Sequence, residues 1–104
     1  MIISNIIQPS ELLEWIGIQK DIQIIDLSND NLLARLNINS LSIPVHQLFD
    51  RVSELSKNKP VILCCNVGSD SFFCMNILAK DYEMDNVFSL KSGINGLSEL
   101  LEIE

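Results

Sequence analysis

Two adjacent cysteines precede a short polar loop in the stretch VILCCNVGSDS, residues 61–71. The apolar run before them predicts a buried strand, and alternation along a strand places Cys64 and Cys65 on opposite faces. A loop from a strand into a helix directs several backbone N–H groups to one point, where the helix N-terminus adds about half a positive charge. A thiolate is stabilised at such a point and becomes a nucleophile. Cys65 is therefore the candidate catalytic residue.

The loop after Cys65 is the candidate substrate-binding cradle. Its residues are Asn66, Val67, Gly68, Ser69, Asp70 and Ser71. Gly68 supplies a turn that a side chain would obstruct, and Ser69 is a candidate N-cap of the following helix. A second interpretation is that Cys65 only ends a core strand, because cysteine is among the most buried residue types. Cys64 and Cys74 are expected to pack in the core.

Helices and strands alternate along the rest of the chain. Strands are predicted at 23–27, 41–44, 61–65 and 87–90. Helices are predicted from about residue 9 to Gly17, over 48–57, from the cysteine loop to about Lys80, and after Ser92 and Gly93. One or two further helical turns are predicted within 28–40. This order predicts a single α/β domain over residues 1–104, with a mostly parallel sheet of about five short strands and helices on both faces. Ligands bind such sheets beyond the carboxyl ends of the strands.

Asp26 ends a predicted strand at that edge of the sheet. It is a candidate support for the cysteine loop, and an ordinary turn or capping role is the alternative. His46 is expected to be a solvated residue rather than a general base, because nothing in the sequence places it beside Cys65.

Charge and cysteine usage exclude several functions. Fourteen acidic residues against seven scattered basic ones give a net charge of −7, so neither nucleic acid nor an anionic membrane is an expected partner. Three cysteines, two of them adjacent, do not make a disulfide framework, and without a CxxC pair we expect no metal and no cofactor. The start lacks the features of a secretory signal, and no apolar run approaches the roughly 20 residues of a membrane span. We therefore expect a cytoplasmic protein.

The order of these segments resembles the rhodanese-like single-domain family through nearly the whole chain. PSELLEWI is similar to the family's opening helix, and IQIIDLS is similar to its strand ending in Asp-Val-Arg. NINSLSIPVHQL is similar to its His-Ile-Pro-Gly segment, and KPVILCCNVGSDS is similar to the strand and active-site loop. NVFSLKSGINGL is similar to its closing strand, double-glycine turn and last helix. The resemblance implies sulfur transfer, in which Cys65 takes a sulfane sulfur from a donor such as thiosulfate and passes the persulfide to an acceptor. It also implies a six-residue loop, Cys65 to Asp70, which suits a sulfur species. Related phosphatases have a loop one residue longer with an arginine at its end.

The cysteine loop departs from the family in its charges. Active members commonly carry arginine at the positions of Asn66 and Asp70, and Ser28 stands where Asp-Val-Arg has its arginine. A unit charge 4 Å away contributes about 4 kcal/mol at an effective dielectric of 20, so Asp70 disfavours the thiosulfate dianion unless it points outwards. Two functions follow: a sulfurtransferase or persulfide carrier, whose donor and acceptor include proteins, or a catalytically inactive binding or regulatory module.

Overall fold

Five short strands form one sheet in the computed structural model, which describes residues 5–102. The strands are β1 (Ile6–Ile7), β2 (Gln23–Asp26), β3 (Leu41–Ser42), β4 (Val61–Cys64) and β5 (Val87–Leu90). Their spatial order is β1-β5-β4-β2-β3, and every neighbouring pair is parallel. The predicted parallel α/β fold is confirmed. β4 lies in the middle of the sheet, so the loop that follows it leaves from the centre of the edge formed by the carboxyl ends of the strands, where ligands bind in folds of this kind.

Within residues 5–102, four α-helices cover the two faces of the sheet. They are α1 (Pro9–Gly17), α2 (Leu32–Arg35), α3 (Ser69–Asp81) and α4 (Gly93–Leu101). Alternating side chains of the central strands divide the core in two. One set, including Ile25 and Leu63, packs with residues of α3. The other, including Ile24 and Ile62, packs with residues of α1, α2 and α4. No helix in the part of the chain that the structure describes is long and apolar enough to cross a membrane.

The helix predicted over 48–57 is wrong. The chain forms two 3₁₀ helices instead, Val45–Asp50 and Val52–Glu54, separated by Arg51 at φ −125° and ψ 25°. The apolar positions 49, 52 and 55 recur every three residues, a period that fits a 3₁₀ helix as well as one face of an α-helix. The backbone at Arg51 interrupts the helical path, so the segment does not continue as one helix.

Strand β1 was not predicted. Its two residues pair with Ser89 and Leu90 at the edge of the sheet, and two residues are too few to show an alternating pattern. The other predicted strands and helices are present, with ends that differ by one or two residues, as is usual for boundaries read from a sequence.

Candidate functional site

Cys65 stands one residue beyond the end of β4, where the chain turns toward α3. Its side chain lies on the α3 face and is only 4% exposed, whereas Cys64 packs wholly buried on the opposite face. The Cys65 Sγ accepts hydrogen bonds from the backbone N–H of Gly68 at 3.1 Å and of Ser71 at 3.2 Å. The loop therefore wraps the sulfur and presents two amide donors to it.

The N-terminus of α4 holds this loop from the other side. Cys65 O accepts a hydrogen bond from Ile94 N at 2.7 Å, and Asn66 O accepts one from Asn95 N at 3.0 Å. Gly93 makes this approach feasible, because it has φ +63° and a Cβ there would lie 2.5 Å from the carbonyl oxygens of both loop residues. The sequence showed Gly93 only as part of a turn; a glycine between a strand and a helix was the available signal.

The loop turns at Gly68, which has φ +102° and is the N-cap of α3. The prediction that Ser69 is the N-cap is therefore wrong: Ser69 is the first residue of the helix, where its side chain is exposed. Asp70 is also exposed in the first helical turn, the outward placement that favours an acidic residue beside the positive end of a helix. Asn66 and Val67 are exposed at the tip of the loop.

Ser71 is the fully buried residue of the loop, and it brings a second hydroxyl to the site. Its Oγ lies 3.4 Å from Cys65 Sγ, 3.1 Å from Gly68 O and 2.7 Å from the Oγ of Ser89 on β5. Ser89 is 2% exposed. Sequence reasoning missed Ser89; its signal was a lone hydroxyl in the apolar strand VFSL, on the face that packs against α3.

Asp26 does not support the cysteine loop through its carboxylate. Its Oδ1 accepts hydrogen bonds from the backbone N–H of Ser28 at 2.8 Å and the Ser28 hydroxyl at 2.6 Å, and its Oδ2 accepts one from Leu33 N at 3.1 Å. All three donors lie on the segment after β2, so the bonds of this buried carboxylate serve the turn role that was the alternative. Ser28, at the position of the family's arginine, is held by Asp26.

The other two cysteines are held as thiols. Burial raises the pKa of Cys64 far above its ordinary range, and the charge of Asp26 adds to the effect. Burial also raises the pKa of Cys74 to about 11, with smaller contributions from Asp70 and Cys65. Neither sulfur accepts a backbone N–H among the described residues, and in this both differ from Cys65.

A cleft of about 520 Å³ lies beside the loop. It is lined by Ile6, Gln8 and Glu11 from β1 and α1, by Val67, Gly68, Ser69 and Phe72 from the loop and α3, and by Ser89, Lys91 and Ser92 from the β5–α4 connection. Lys91 adds a cation that the loop itself lacks, and sequence reasoning missed it because the residue is distant along the chain. His46 is exposed on the first 3₁₀ helix. Within residues 5–102, no three His, Cys, Asp or Glu side chains group as metal ligands.

A family model described as a rhodanese-like domain matches residues 8–100. The chain belongs to the rhodanese-like domain family. The comparison with curated proteins returned no match.

Solved structures show the same rhodanese-like fold. A rhodanese-like domain protein from Staphylococcus aureus is 23% identical, with a TM-score of 0.73 over 98% of this chain and 99% of that one. A rhodanese-related protein from Thermoplasma volcanium is 20% identical, with a TM-score of 0.73 over 95% of each chain. An NAD-dependent persulfide reductase from A. fulgidus is 29% identical over 74% of this chain, which corresponds to 14% of that enzyme, with a TM-score of 0.62.

Proposed function

We propose that this rhodanese-like domain is a sulfurtransferase or persulfide carrier with Cys65 as its covalent sulfur site. The observation that carries the proposal is the pair of backbone N–H groups, from Gly68 and Ser71, that donate to the buried Sγ. Hydrogen bonds to the charged form of a group favour that form. The Cys65 Sγ must be a thiolate before it takes up sulfur and again after it gives the sulfur to an acceptor.

The sulfur transfer proceeds in two displacements. The Cys65 thiolate attacks the outer sulfur of a donor persulfide, an S–S bond forms at Sγ, and the donor leaves as its own thiolate. An acceptor thiolate then attacks the outer sulfur of the Cys65 persulfide, and the electron pair of the broken bond returns to Sγ. The amides of Gly68 and Ser71 stabilise the charge on Sγ before the first displacement and after the second.

A protein persulfide suits this site better than thiosulfate. The net charge of −7 repels a dianion in solution. Two large apolar side chains near the loop face solvent, Val67 at 61% and Phe73 at 66%, and offer contact area to a docking protein. A cytoplasmic donor, in a reducing compartment where thiols persist, agrees with three unpaired cysteines.

A second candidate function is a rhodanese-like binding module without turnover. Its support is the position of Ser28, whose hydroxyl is bound to Asp26 and offers no charge to the site, together with the absence of a cation among residues 65–71. In this case the Cys65 thiol is inert toward donors.

Intact mass measurement separates the two functions. The reduced protein is exposed to a persulfide-loaded cysteine desulfurase and, separately, to thiosulfate, with Cys65→Ser as the control. We expect a gain of one sulfur atom with the protein donor, little with thiosulfate, and none in the Cys65→Ser variant. No gain with either donor supports the binding module.

A further inference from the structure

A second cleft, of about 880 Å³, lies at the β3 edge of the sheet, and we call it the β3-edge cleft. Its lining includes Ile24 and Ile38, buried apolar residues of the core beneath α1, α2 and α4. The Cys65 side chain lies on the other side of the sheet, and no residue of the cysteine loop lines this cleft. The volume falls in the range of ligand sites in proteins, about 300–1,000 Å³. A ligand held here leaves the sulfur site free.

One wall of the β3-edge cleft is an open strand. Within residues 5–102, β3 is the last strand on its side of the sheet, and Ser40 and Ser42 line the cleft. Ile43 N donates to Asp26 O at 3.0 Å. Because backbone groups alternate in direction along a strand, the N–H and C=O of Ser42 point away from β2, toward the open edge. An extended peptide is the ligand that pairs with such an edge.

Side-chain amides flank the open strand. Four residues of the lining carry them, and all four are exposed: Gln19, Asn31, Asn37 and Asn39. In the part of the chain that the structure describes, no other group of the protein forms a hydrogen bond with these amides. Each amide offers an N–H donor and a C=O acceptor, the same pair that a peptide group offers. The cleft thus presents groups that match the backbone of a peptide.

Two of these amides are held by the ends of helices. Gln19 follows α1 and Asn37 follows α2, with φ +56° and +62°. In both places the N–H of the next residue donates, at 2.9 Å, to the carbonyl five residues before it, as is usual where a helix ends in a left-handed residue. The backbone at both positions is therefore ordered before a ligand arrives, which lowers the entropy lost on binding.

Lys20 supplies the available charge of the β3-edge cleft. Its Nζ lies 5.1 Å from the centre of the Trp15 ring, and it belongs to neither of the ion pairs found among the described residues. The other charged residue of the lining, Asp26, already accepts three hydrogen bonds from its own segment. The cleft therefore presents a cation on a protein whose net charge is −7, and this cation complements a carboxylate.

We propose that the β3-edge cleft binds an extended segment of a partner protein, whose backbone pairs with the open side of β3 and the flanking amides and whose acidic side chain faces Lys20. The interaction is non-covalent and independent of sulfur transfer. It gives the domain a place to hold a partner on the side of the sheet opposite the Cys65 side chain.

Selection from random ten-residue peptides displayed on phage tests this assignment. The full chain is immobilised, enriched peptides are synthesised with a fluorescent label, and Kd is measured by fluorescence anisotropy. Each peptide has a twin in which Asp and Glu are replaced by Asn and Gln. We expect the enriched peptides to carry an acidic residue, and the neutral twins to bind about two- to fivefold more weakly, the effect of one exposed charge contact.

Ser42→Pro tests the pairing with β3. Proline removes an N–H that does not bond to β2, and it is tolerated in an edge strand whose N–H faces solvent. We expect the Kd of the peptides to rise about tenfold or more, because the open edge is then blocked. Ile6→Pro at the opposite edge is the matched control, since β5 bonds to the residues on either side of Ile6. It should leave the Kd unchanged.

Lys20→Gln tests the charge contact and does not depend on a change in the backbone. The variant should bind each acidic peptide as weakly as the parent protein binds the neutral twin, and it should bind the twin unchanged. Lys80→Gln, an exposed lysine on α3 outside the cleft, is the control and should change neither value.

Three outcomes overturn the assignment. The first is a selection that enriches no peptide. The second is a set of peptides that bind Ser42→Pro and Lys20→Gln as tightly as the parent protein. The third is self-association of the parent protein that Ser42→Pro abolishes, which would show that a second copy of the chain covers the edge. Weaker binding in both variants, with both controls unchanged, supports the assignment.

Discussion

At the scale of single residues, the site consists of a sulfur surrounded by neutral hydrogen-bond donors. Gly68 N and Ser71 N contact Sγ directly, and the Ser71 hydroxyl lies between Sγ and Ser89. In the thiol form Cys65 Sγ donates to Ser71 Oγ, and Ser71 Oγ donates to Gly68 O. Once Sγ is ionised the single Ser71 proton can turn to it, and it does so more readily when Ser89 donates to Ser71. Ser89 is therefore a positioning residue that acts on the sulfur through its neighbour.

Removal of the Ser89 hydroxyl should lower the reactivity of Cys65. Loss of one hydrogen bond costs about 1 kcal/mol, so we expect Ser89→Ala to slow iodoacetamide alkylation of Cys65 about fivefold at neutral pH and to move the pH profile of alkylation upwards. Ser89→Thr, which keeps the hydroxyl, should restore the profile. An unchanged profile in Ser89→Ala would show that the serine pair has only a packing role.

The exposed carboxylate of Asp70 should have a small effect on the choice of donor, because it points outwards. We expect Asp70→Asn to accelerate sulfur uptake from thiosulfate about twofold at low ionic strength, with a smaller gain at 0.5 M salt, because screening weakens repulsion between exposed charges. Asp81→Asn at the far end of α3 is the control. An equal gain in both variants would indicate a response to net charge alone.

At the scale of secondary-structure elements, the sequence predicted those that have a long apolar pattern or a proline or polar loop at their start. Helix α1 begins at Pro9 and α3 follows a polar loop, and both were predictable. The 3₁₀ helices and β1 were not, because a three-residue apolar spacing fits two kinds of helix and two residues carry no period.

The site was predictable where its parts are consecutive and not where they are distant. Cys65 and the loop to Ser71 lie in one stretch of sequence, so it was visible that the loop surrounds the cysteine. The pairing of β5 with β4 and β1 brings three distant residues, Ser89, Lys91 and Glu11, to the cleft beside the cysteine loop. A single sequence does not show this pairing.

Glycine at position 93 should be indispensable to the loop. A Cβ on Gly93 meets the backbone carbonyls of Cys65 and Asn66 at 2.5 Å, and neither can move without breaking its hydrogen bond to α4. We expect Gly93→Ala to lower the free energy of unfolding by about 2 kcal/mol or more and to abolish sulfur loading. Urea denaturation and intact mass are the measurements.

Gly17→Ala is the matched control for that substitution. A Cβ on Gly17 meets nothing within 4 Å, and the residue ends helix α1. Its effect should stay within about 1 kcal/mol, with either sign. Equal losses of stability in the two variants would contradict the role of Gly93 in allowing α4 to approach the cysteine loop closely.

At the scale of the whole molecule, the three cysteines are divided between two hydrophobic cores, one on each side of the sheet. Cys65 and Cys74 belong to the core beneath α3, and Cys64 to the core beneath α1 and α4. The radius of gyration, 12.6 Å, is close to the value of about 13 Å for a compact domain of 100 residues. We expect a single domain of this size to unfold in one transition, which would expose all three thiols together.

Stability should decline at alkaline pH. The pKa of Cys74 rises from 9.0 to about 11 in the folded protein, so between these values the unfolded chain has lost a proton that the folded one retains. The free energy of unfolding then falls as the pH rises, by up to about 3 kcal/mol at 1.4 kcal/mol per unit. The raised pKa of Cys64 acts in the same direction.

Urea denaturation between pH 8 and pH 11 measures this decline. We expect Cys74→Ala to give a shallower slope than the parent protein, whatever its stability at pH 8. Parallel slopes in the two proteins would mean that other groups, such as lysine and tyrosine, account for the alkaline loss.

The hydrogen bonds from the N-terminus of α4 to the cysteine loop can form only late in protein synthesis. A growing chain that has just passed Asp81 already contains Cys65, both amide donors and helix α3, yet it lacks the N–H groups of Ile94 and Asn95 that hold the loop carbonyls. Because domains form as units when their sequence has left the ribosome, the loop reaches its final geometry only after these last contacts emerge. An unfinished polypeptide thus lacks the held loop on which the proposed sulfur transfer depends.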